Sequence, residues 1–253
     1  MRATLGRMLP EDFLRKLKES SVDLPGILDI GANEGGFTKG ASSVYSKAQF
    51  LMVDANEHEG CSRVAAKRHG RCVTALLSDR IKDVVWYSKN VRGIPGSGSS
   101  YLKEQTRAFE NVTGEKRTTE TLDSVVEKYG NGTRFKYIKI DAQGAEIDIL
   151  KGGSKTVSSA EFIQMEMPFG GVQYNSGVPS YADEIKYMDS IGFTPVAECE
   201  QHELKGYQFQ IDLIFAKKDS AYIKRAQGSV NGAYAAEKTQ RLLVNAVSAM
   251  SSS

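Results

Sequence analysis

Cysteine is scarce in this chain. Cys61, Cys72 and Cys199 are the only three among 253 residues. An odd count without C-x-x-C spacing counts against a disulfide framework and against a thiolate zinc site, and it predicts a reduced protein. Charge of one sign is also lacking: 33 Lys and Arg against 31 Asp and Glu leave a net charge of +2. A nucleic-acid binder ordinarily carries a basic stripe, so no nucleic-acid partner is expected. The densest basic run, Lys67-Arg68-His69-Gly70-Arg71, reads as a solvated helix end. No apolar run approaches the roughly 18 residues of a membrane span. Met1 to Lys18 holds no apolar stretch of the secretory kind. The expectation is a cytoplasmic protein with no membrane partner, in which the sequons at Asn111 and Asn131 are chance. What is present, 40% hydrophobic and 25% charged residues, excludes a disordered chain and can bury a sizeable core.

The hydrophobic pattern predicts a helix over 9–20, with Pro10 in its first turn and Phe13, Leu14 and Leu17 on one face. Short apolar runs then read as buried strands at 26–30, 50–53 and 72–77, with helical stretches between them, the second at 57–69. Strands alternating with helices predict right-handed βαβ units and a parallel sheet. The rhythm breaks over about 84–120, which reads as an insertion with strands near 84–88 and 118–122. Within it, Arg92 to Ser100 is rich in Gly, Ser and Pro and reads as a loop, mobile without ligands and able to close over an acceptor. A helix at 123–129 follows, then a strand at 135–140, a helix at 145–151, a strand at 161–167 and a helix at 181–190. Strands at 193–197 and 210–216 are joined by too few residues for a crossover and read as an antiparallel hairpin. The domain is placed at 1–218. Residues 219–253 read as a polar tail dispensable to the core, with a helix near 237–247.

Chemistry gathers at strand ends. Asp29-Ile30-Gly31-Ala32-Asn33-Glu34-Gly35 runs from a strand into a glycine turn before a helix, where a backbone can approach a ligand closely. Asp54 ends the next strand, 23 positions after Gly31, where a Rossmann-like fold holds ribose hydroxyls. Ser78 and Asp79 end the third strand, with Asp79 placed to meet an adenine amino group. A dinucleotide turn prefers a second glycine two residues after the first, and Asn33 stands there instead. Asp29 beside the turn suits a cationic amino group better than a pyrophosphate. Both points favour S-adenosylmethionine over NAD. Further on, strand alternation puts Lys139 and Asp141 on one face, with Asp141 at the carboxyl end of a central strand. A buried lysine calls for a carboxylate partner. Glu166 ends the neighbouring strand and brings a second acid to the same rim.

Residues 26–36, Thr121-Leu122-Asp123 and residues 136–153 together resemble the FkbM family of S-adenosylmethionine-dependent methyltransferases, over about residues 20–217. The family pattern is a D-x-G-A-N-x-G turn, an acidic end to strand two, a T-L-D before a helix, and I-K-I-D-x-E-G-x-E-x-x-x-L-x-G. One departure is Gln143, where the family often has Glu. The resemblance implies a class I methyltransferase fold. That fold is α/β and Rossmann-like, with seven mostly parallel strands, an antiparallel last strand and helices on both faces. It also implies O-methylation of a hydroxyl on a sugar or natural product.

Asp141 and Glu166 are then the candidates to orient the hydroxyl, share its proton or bind a divalent cation. Lys139 partly neutralises them. His202, read as lying in the loop between the last strands at the same edge, is a further candidate base. His58 and His69 are poorer ones. The cofactor set is Asp29, Gly31, Ala32, Asn33, Gly35, Asp54, Ser78 and Asp79. The alternatives are an NAD-dependent oxidoreductase on a Rossmann-like fold, kept open by Asp54, and an inactive nucleotide-binding module.

Overall fold

The computed structural model describes residues 8–231 apart from 89, 92–93, 96–97, 170–174 and 205–206. The first third of the chain runs α1 (Pro10–Glu19), β1 (Gly26–Ile30), α2 (Gly36–Val44), β2 (Gln49–Asp54), α3 (Glu59–Lys67) and β3 (Gly70–Thr74). The insertion holds β4 (Asp83–Trp86), β5 (Asn90–Val91), β6 (Ile94–Pro95) and β7 (Glu115–Thr118). The remainder is α4 (Leu122–Tyr129), β8 (Phe135–Ile140), α5 (Glu146–Gly152), α6 (Ser154–Ser159), β9 (Phe162–Pro168), α7 (Tyr181–Ser190), β10 (Phe193–Leu204) and β11 (Tyr207–Lys217).

Seven strands form one sheet in the order β10-β11-β9-β8-β1-β2-β3. Only β11 runs against the others. This is the seven-stranded class I arrangement that the family resemblance implied. The order reverses between β1 and β8, so their carboxyl ends flank the crevice where such sheets bind ligands.

Alternation along the strands builds two cores. Leu28, Ile30, Ile138, Ile140, Ile163 and Met165 face one side, with Leu122 and Val125 of α4, Ile149 of α5 and Met188 of α7. Ile27, Tyr137, Phe162 and Ile214 face the other, against Phe13, Leu14 and Leu17 of α1 and Ala41 and Val44 of α2. Each such buried side chain contributes about 1.5–3 kcal/mol. The tail begins on this second core. Residues 221–231 are helical, Tyr222 packs edge-on to Phe162 with ring centroids 5.3 Å apart, and Arg225 donates to the Ser20 carbonyl at 3.0 Å. The helix expected near 237–247 lies outside the described residues.

Thr121-Leu122-Asp123 is a structural device. Thr121 Oγ1 caps α4 by accepting from the Ser124 amide at 3.2 Å, and Leu122 is fully buried. The Asp123 carboxylate accepts from the amides of Lys155 and Thr156, at 3.0 and 2.8 Å, at the start of α6, a helix the sequence pattern did not reveal. Side-chain acceptors of this kind satisfy donors that a helix start leaves open.

Several expectations change. The third strand is Gly70–Thr74 rather than 72–77. Ala75, Leu76 and Leu77 leave the sheet yet stay buried, lining a cleft, and an apolar run does not distinguish the two fates. In the insertion, β4 and β7 pair antiparallel as a separate small sheet. Of the expected loop at 92–100, residues 92–93 and 96–97 lie outside the described residues; Ile94–Pro95 forms β6 and pairs antiparallel with β5, and Ser100 bridges Tyr87. Cysteine reading is also corrected: Cys61 of α3 and Cys72 of β3 form a disulfide, with Cα atoms 5.8 Å apart. A count says nothing of which residues the α3–β3 turn returns to bonding distance.

Candidate active site

The glycine turn after β1 is threaded between two neighbours. The Gly31 and Ala32 amides donate to the Val53 carbonyl at 2.9 and 3.2 Å, and the Asp141 amide donates to the Ile30 carbonyl at 3.1 Å. Gly31 has φ of +71°, and a Cβ there would fall on the Asp141 carbonyl oxygen. Only glycine permits that approach.

Asp54, at the end of β2, organises the next layer. Its Oδ2 accepts from the Asn33 amide at 2.8 Å and its Oδ1 from the Asn56 amide at 2.9 Å. His58, 6% exposed, places Nε2 at 3.3 Å from Asp54 Oδ1 and Nδ1 at 3.4 Å from Glu34. His58, read from sequence as a poorer candidate, therefore belongs to this corner. Nothing in its local sequence signals that, since the contact depends on how α3 leaves the sheet.

A cleft opens above the carboxyl ends of β1, β2 and β8. Gly31, Asn33, Asp54, Asp141 and Gln143 line it, over a floor of Ala75, Leu76 and Leu77. The insertion adds Trp86, Gly98, Ser99 and Tyr101 to the walls; Gly98 and Ser99 belong to the loop expected to close over an acceptor, whereas Trp86 and Tyr101 escaped sequence reading. The Tyr101 hydroxyl donates to Asp148 at 3.0 Å. Burial first, then the Asp148 charge, push its pKa above the ordinary tyrosine value, against the lowering bond from Ser78.

Other expected cofactor residues sit elsewhere. Strand alternation turns Asp29 away from the cleft, onto the α1–α2 face, where it is fully buried. Its Oδ2 accepts from Thr38 at 2.7 Å, its Oδ1 is 3.9 Å from Lys139 Nζ, and burial raises its pKa despite both partners. Ala32 packs with Met52, Cys61 and Ala65, and Gly35 approaches Met52 and Val64. Ser78 is buried and donates to Asp79 at 3.1 Å. Asp79 pairs with Lys82 and Arg80, each at 2.7 Å, and the Lys82 bond holds its pKa below the usual range. Neither is in the described cleft lining. The chain bends out of the sheet after Thr74, so the third strand's tip is not where an unbroken strand would put it.

The acidic rim forms as the sequence suggested. Lys139 Nζ donates to Asp141 Oδ2 at 3.2 Å and to the Gly31 carbonyl at 3.3 Å. Burial alone would lower the Lys139 pKa, but Asp141 and Asp29 outweigh it and keep the ammonium charged. Gln143 Nε2 donates at 2.9 Å to both Asp141 Oδ1 and Glu166 Oε2, so one amide bridges the two carboxylates. Gln143 does this from φ of +53°, followed by Gly144 at +97°. A non-glycine residue in that region costs roughly 1–2 kcal/mol, and such strain gathers at functional sites. Glu166, 7% exposed, has its pKa pushed well up by burial and then by Asp141 and Glu146. Glu146 accepts from the Ala142 amide at 2.8 Å, and burial lifts its pKa to about 7. Glu166 also borders a small recess with Gly144, Asn175 and Gln210.

His202 is corrected. It lies within β10 opposite Gln210, not in a loop, because the hairpin strands extend to Leu204 and from Tyr207. β10 is the sheet's outer strand, separated from β8 by β11 and β9.

Residues 29–195 match the model of the methyltransferase FkbM domain. No curated protein matches the chain in sequence. Among solved structures, it is similar to methyltransferase FkbM from Methylobacillus flagellatus, at 12% identity over 75% of this chain and 43% of that one, with a TM-score of 0.47. It is similar to the 1,6-didemethyltoxoflavin-N1-methyltransferase of Burkholderia thailandensis, solved with S-adenosylhomocysteine. That match has 12% identity, covers 83% and 78% of the two chains and has a TM-score of 0.43. It is also similar to magnesium protoporphyrin IX methyltransferase from Synechocystis, solved with S-adenosylmethionine, at 12% identity, 82% and 77% coverage and a TM-score of 0.41.

Proposed function

The chain belongs to the FkbM methyltransferase family, and on that premise we propose that it moves a methyl group from S-adenosylmethionine to a hydroxyl oxygen of a small hydroxylated acceptor, with a saccharide as the favoured class. The carrying observation is the Asp141 carboxylate at the mouth of the glycine turn. A negative group there attracts an ammonium or sulfonium and repels a pyrophosphate. The Asn33 amide, which a phosphate would use, is already spent on Asp54. Both points weigh against the dinucleotide reading. The residues present fit S-adenosylmethionine: Asp54 keeps lone pairs for ribose hydroxyls, Ala75 to Leu77 offer an apolar floor for a base, and Asp141 faces the cationic end.

When bound, S-adenosylmethionine supplies the electrophilic methyl group. The chain's own residues do the rest. Lys139 pairs with Asp141 and holds it in place. Asp141 accepts a hydrogen bond from the acceptor hydroxyl. The same carboxylate takes the hydroxyl proton as the methyl group is transferred, and Glu166, joined to Asp141 through the Gln143 amide, borders the acceptor side of the site. Polar Asn175 and Gln210 beside Glu166 suit a hydroxyl-rich acceptor.

A divalent cation between Asp141 and Glu166 does not fit this arrangement. The Gln143 nitrogen occupies the bridge, whereas hard cations take oxygen ligands. Among the described residues no group of three or more His, Cys, Asp or Glu side chains is placed to hold a metal. No helix of the described residues is long and apolar enough to cross a membrane. Cytoplasmic residence rests on composition, and the Cys61–Cys72 disulfide counts against it.

The test is Asp141→Asn assayed with S-adenosylmethionine and a panel of saccharides and other hydroxylated acceptors. Turnover at saturating S-adenosylmethionine falls by about 10²-fold, the scale of lost acid–base help, and S-adenosylhomocysteine affinity by calorimetry falls by roughly 10–100-fold, the scale of one hydrogen bond to a charged group. Wild-type turnover persists in excess chelator. An undiminished rate in the variant refutes the assignment, as does thermal stabilisation by NAD but not by S-adenosylmethionine. Cofactor binding without turnover on every acceptor favours the inactive module.

A further inference from the structure

Trp86 is the only tryptophan in the chain. It ends β4 in the inserted segment, is 4% exposed and borders the cleft. Its indole N–H is buried without a hydrogen-bond partner. Buried donors are almost always paired, so an unpaired one beside a cleft calls for an acceptor from outside the chain.

Its position along the cleft is fixed by Arg117 of β7. The guanidinium lies 5.2 Å from the indole ring. Its Nη1 donates to the Ala55 carbonyl at 2.7 Å and to Asn56 Oδ1 at 3.3 Å. Ala55 and Asn56 directly follow Asp54. Trp86 is therefore clamped at the Asp54 end of the cleft, which holds the nucleoside on the reading above. The floor there, Ala75 to Leu77, offers an apolar surface to a base but no polar side chain. Asp79, the sequence's candidate for the base, is engaged by Lys82 and Arg80. A purine entering this end presents ring nitrogens that accept hydrogen bonds. Trp86 holds an unspent donor.

We propose that Trp86 closes the adenine end of the cofactor pocket, its indole N–H donating to an adenine ring nitrogen. Base recognition then comes from the insertion, through the β4–β7 sheet, rather than from the tip of β3. The inference rests on S-adenosylmethionine being the cofactor. The methyl-transfer chemistry at Asp141 does not depend on Trp86.

The experiment uses the full chain, with tryptophan emission excited selectively and calorimetry run in parallel. One tryptophan makes the optical signal single-sourced. Saturation with S-adenosylhomocysteine or with 5′-methylthioadenosine changes the Trp86 emission, and methionine alone does not. Trp86→Phe keeps an aromatic wall and removes the donor. Its S-adenosylhomocysteine Kd rises about 3–10-fold, the span of one neutral hydrogen bond. Calorimetric binding of S-adenosylhomocysteine without a change in emission overturns the proposal. So does an unchanged Kd in folded Trp86→Phe. If that variant does not fold, the wild-type titration decides alone. Absence of any binding heat in the wild type overturns the cofactor reading itself, and that outcome is distinct from the other two.

Discussion

Glu184 gives the sharpest stability prediction. It lies in the first turn of α7, is fully buried, and neither carboxyl oxygen has a hydrogen-bond partner. Burial first, then the charges of Glu146 and Asp183, push its pKa up to about 9, from an ordinary value of 4.5. An acid with a raised folded pKa contributes fully below its unfolded pKa and loses that contribution as pH rises toward the folded value. From pH 4.5 upward, this group alone removes about 1.4 kcal/mol of stability per pH unit, until the pH nears 9. Between pH 5.5 and 8 the loss is about 3 kcal/mol. Glu184→Met is similar in length, is a comparable helix former and does not titrate. The variant is expected to gain about 3 kcal/mol on wild type between pH 5.5 and pH 8. At roughly 2–4 °C per kcal/mol for this chain length, that is a Tm difference of roughly 6–12 °C. Urea unfolding at several pH values measures it, with the urea dependence checked for constancy. A variant that tracks wild type in parallel across this range, or is destabilised equally throughout, refutes the reasoning.

Asp54→Ala should weaken S-adenosylhomocysteine binding by about 1.5–3 kcal/mol, the worth of a hydrogen bond to a charged group, with unchanged calorimetric affinity removing Asp54 from the site. Gly31→Ala should destabilise the fold by about 2–4 kcal/mol, since it combines positive-φ strain with a Cβ driven onto the Asp141 carbonyl; a Tm equal to wild type would show that the two strands part at little cost. Reducing the Cys61–Cys72 bond, which spans 11 residues, should release about 3 kcal/mol of chain-entropy stabilisation and lower Tm by roughly 6–12 °C. An identical melt with and without reductant would show that the α3–β3 unit holds its shape unaided.

The strand–helix alternation was legible in sequence because each step is local. Gly26–Ile30, Phe135–Ile140 and Tyr181–Ser190 carry their own periodicity and punctuation, and the structure begins and ends these elements at those residues. The same local logic brought Lys139, Asp141 and Glu166 to one rim, because alternation and strand-end position follow from residue count alone. What failed to show was whatever depends on where separate segments meet. Asp29 looked like a ligand of the cofactor until its strand face proved to be the α1–α2 side. Asp79 looked placed for the base, but the chain turns out of the sheet after Thr74. His202 looked like a loop residue until the hairpin extended past it. Conversely, His58 against Asp54, Gln143 between two carboxylates, Trp86 under Arg117 and the Cys61–Cys72 bond each join residues through side-chain directions that no spacing encodes. Hydrogen bonding and hydrophobic periodicity act over a few residues and can be read along a chain. Burial, pairing and the pKa shifts they cause depend on the three-dimensional packing of elements far apart in sequence, and only the fold sets that.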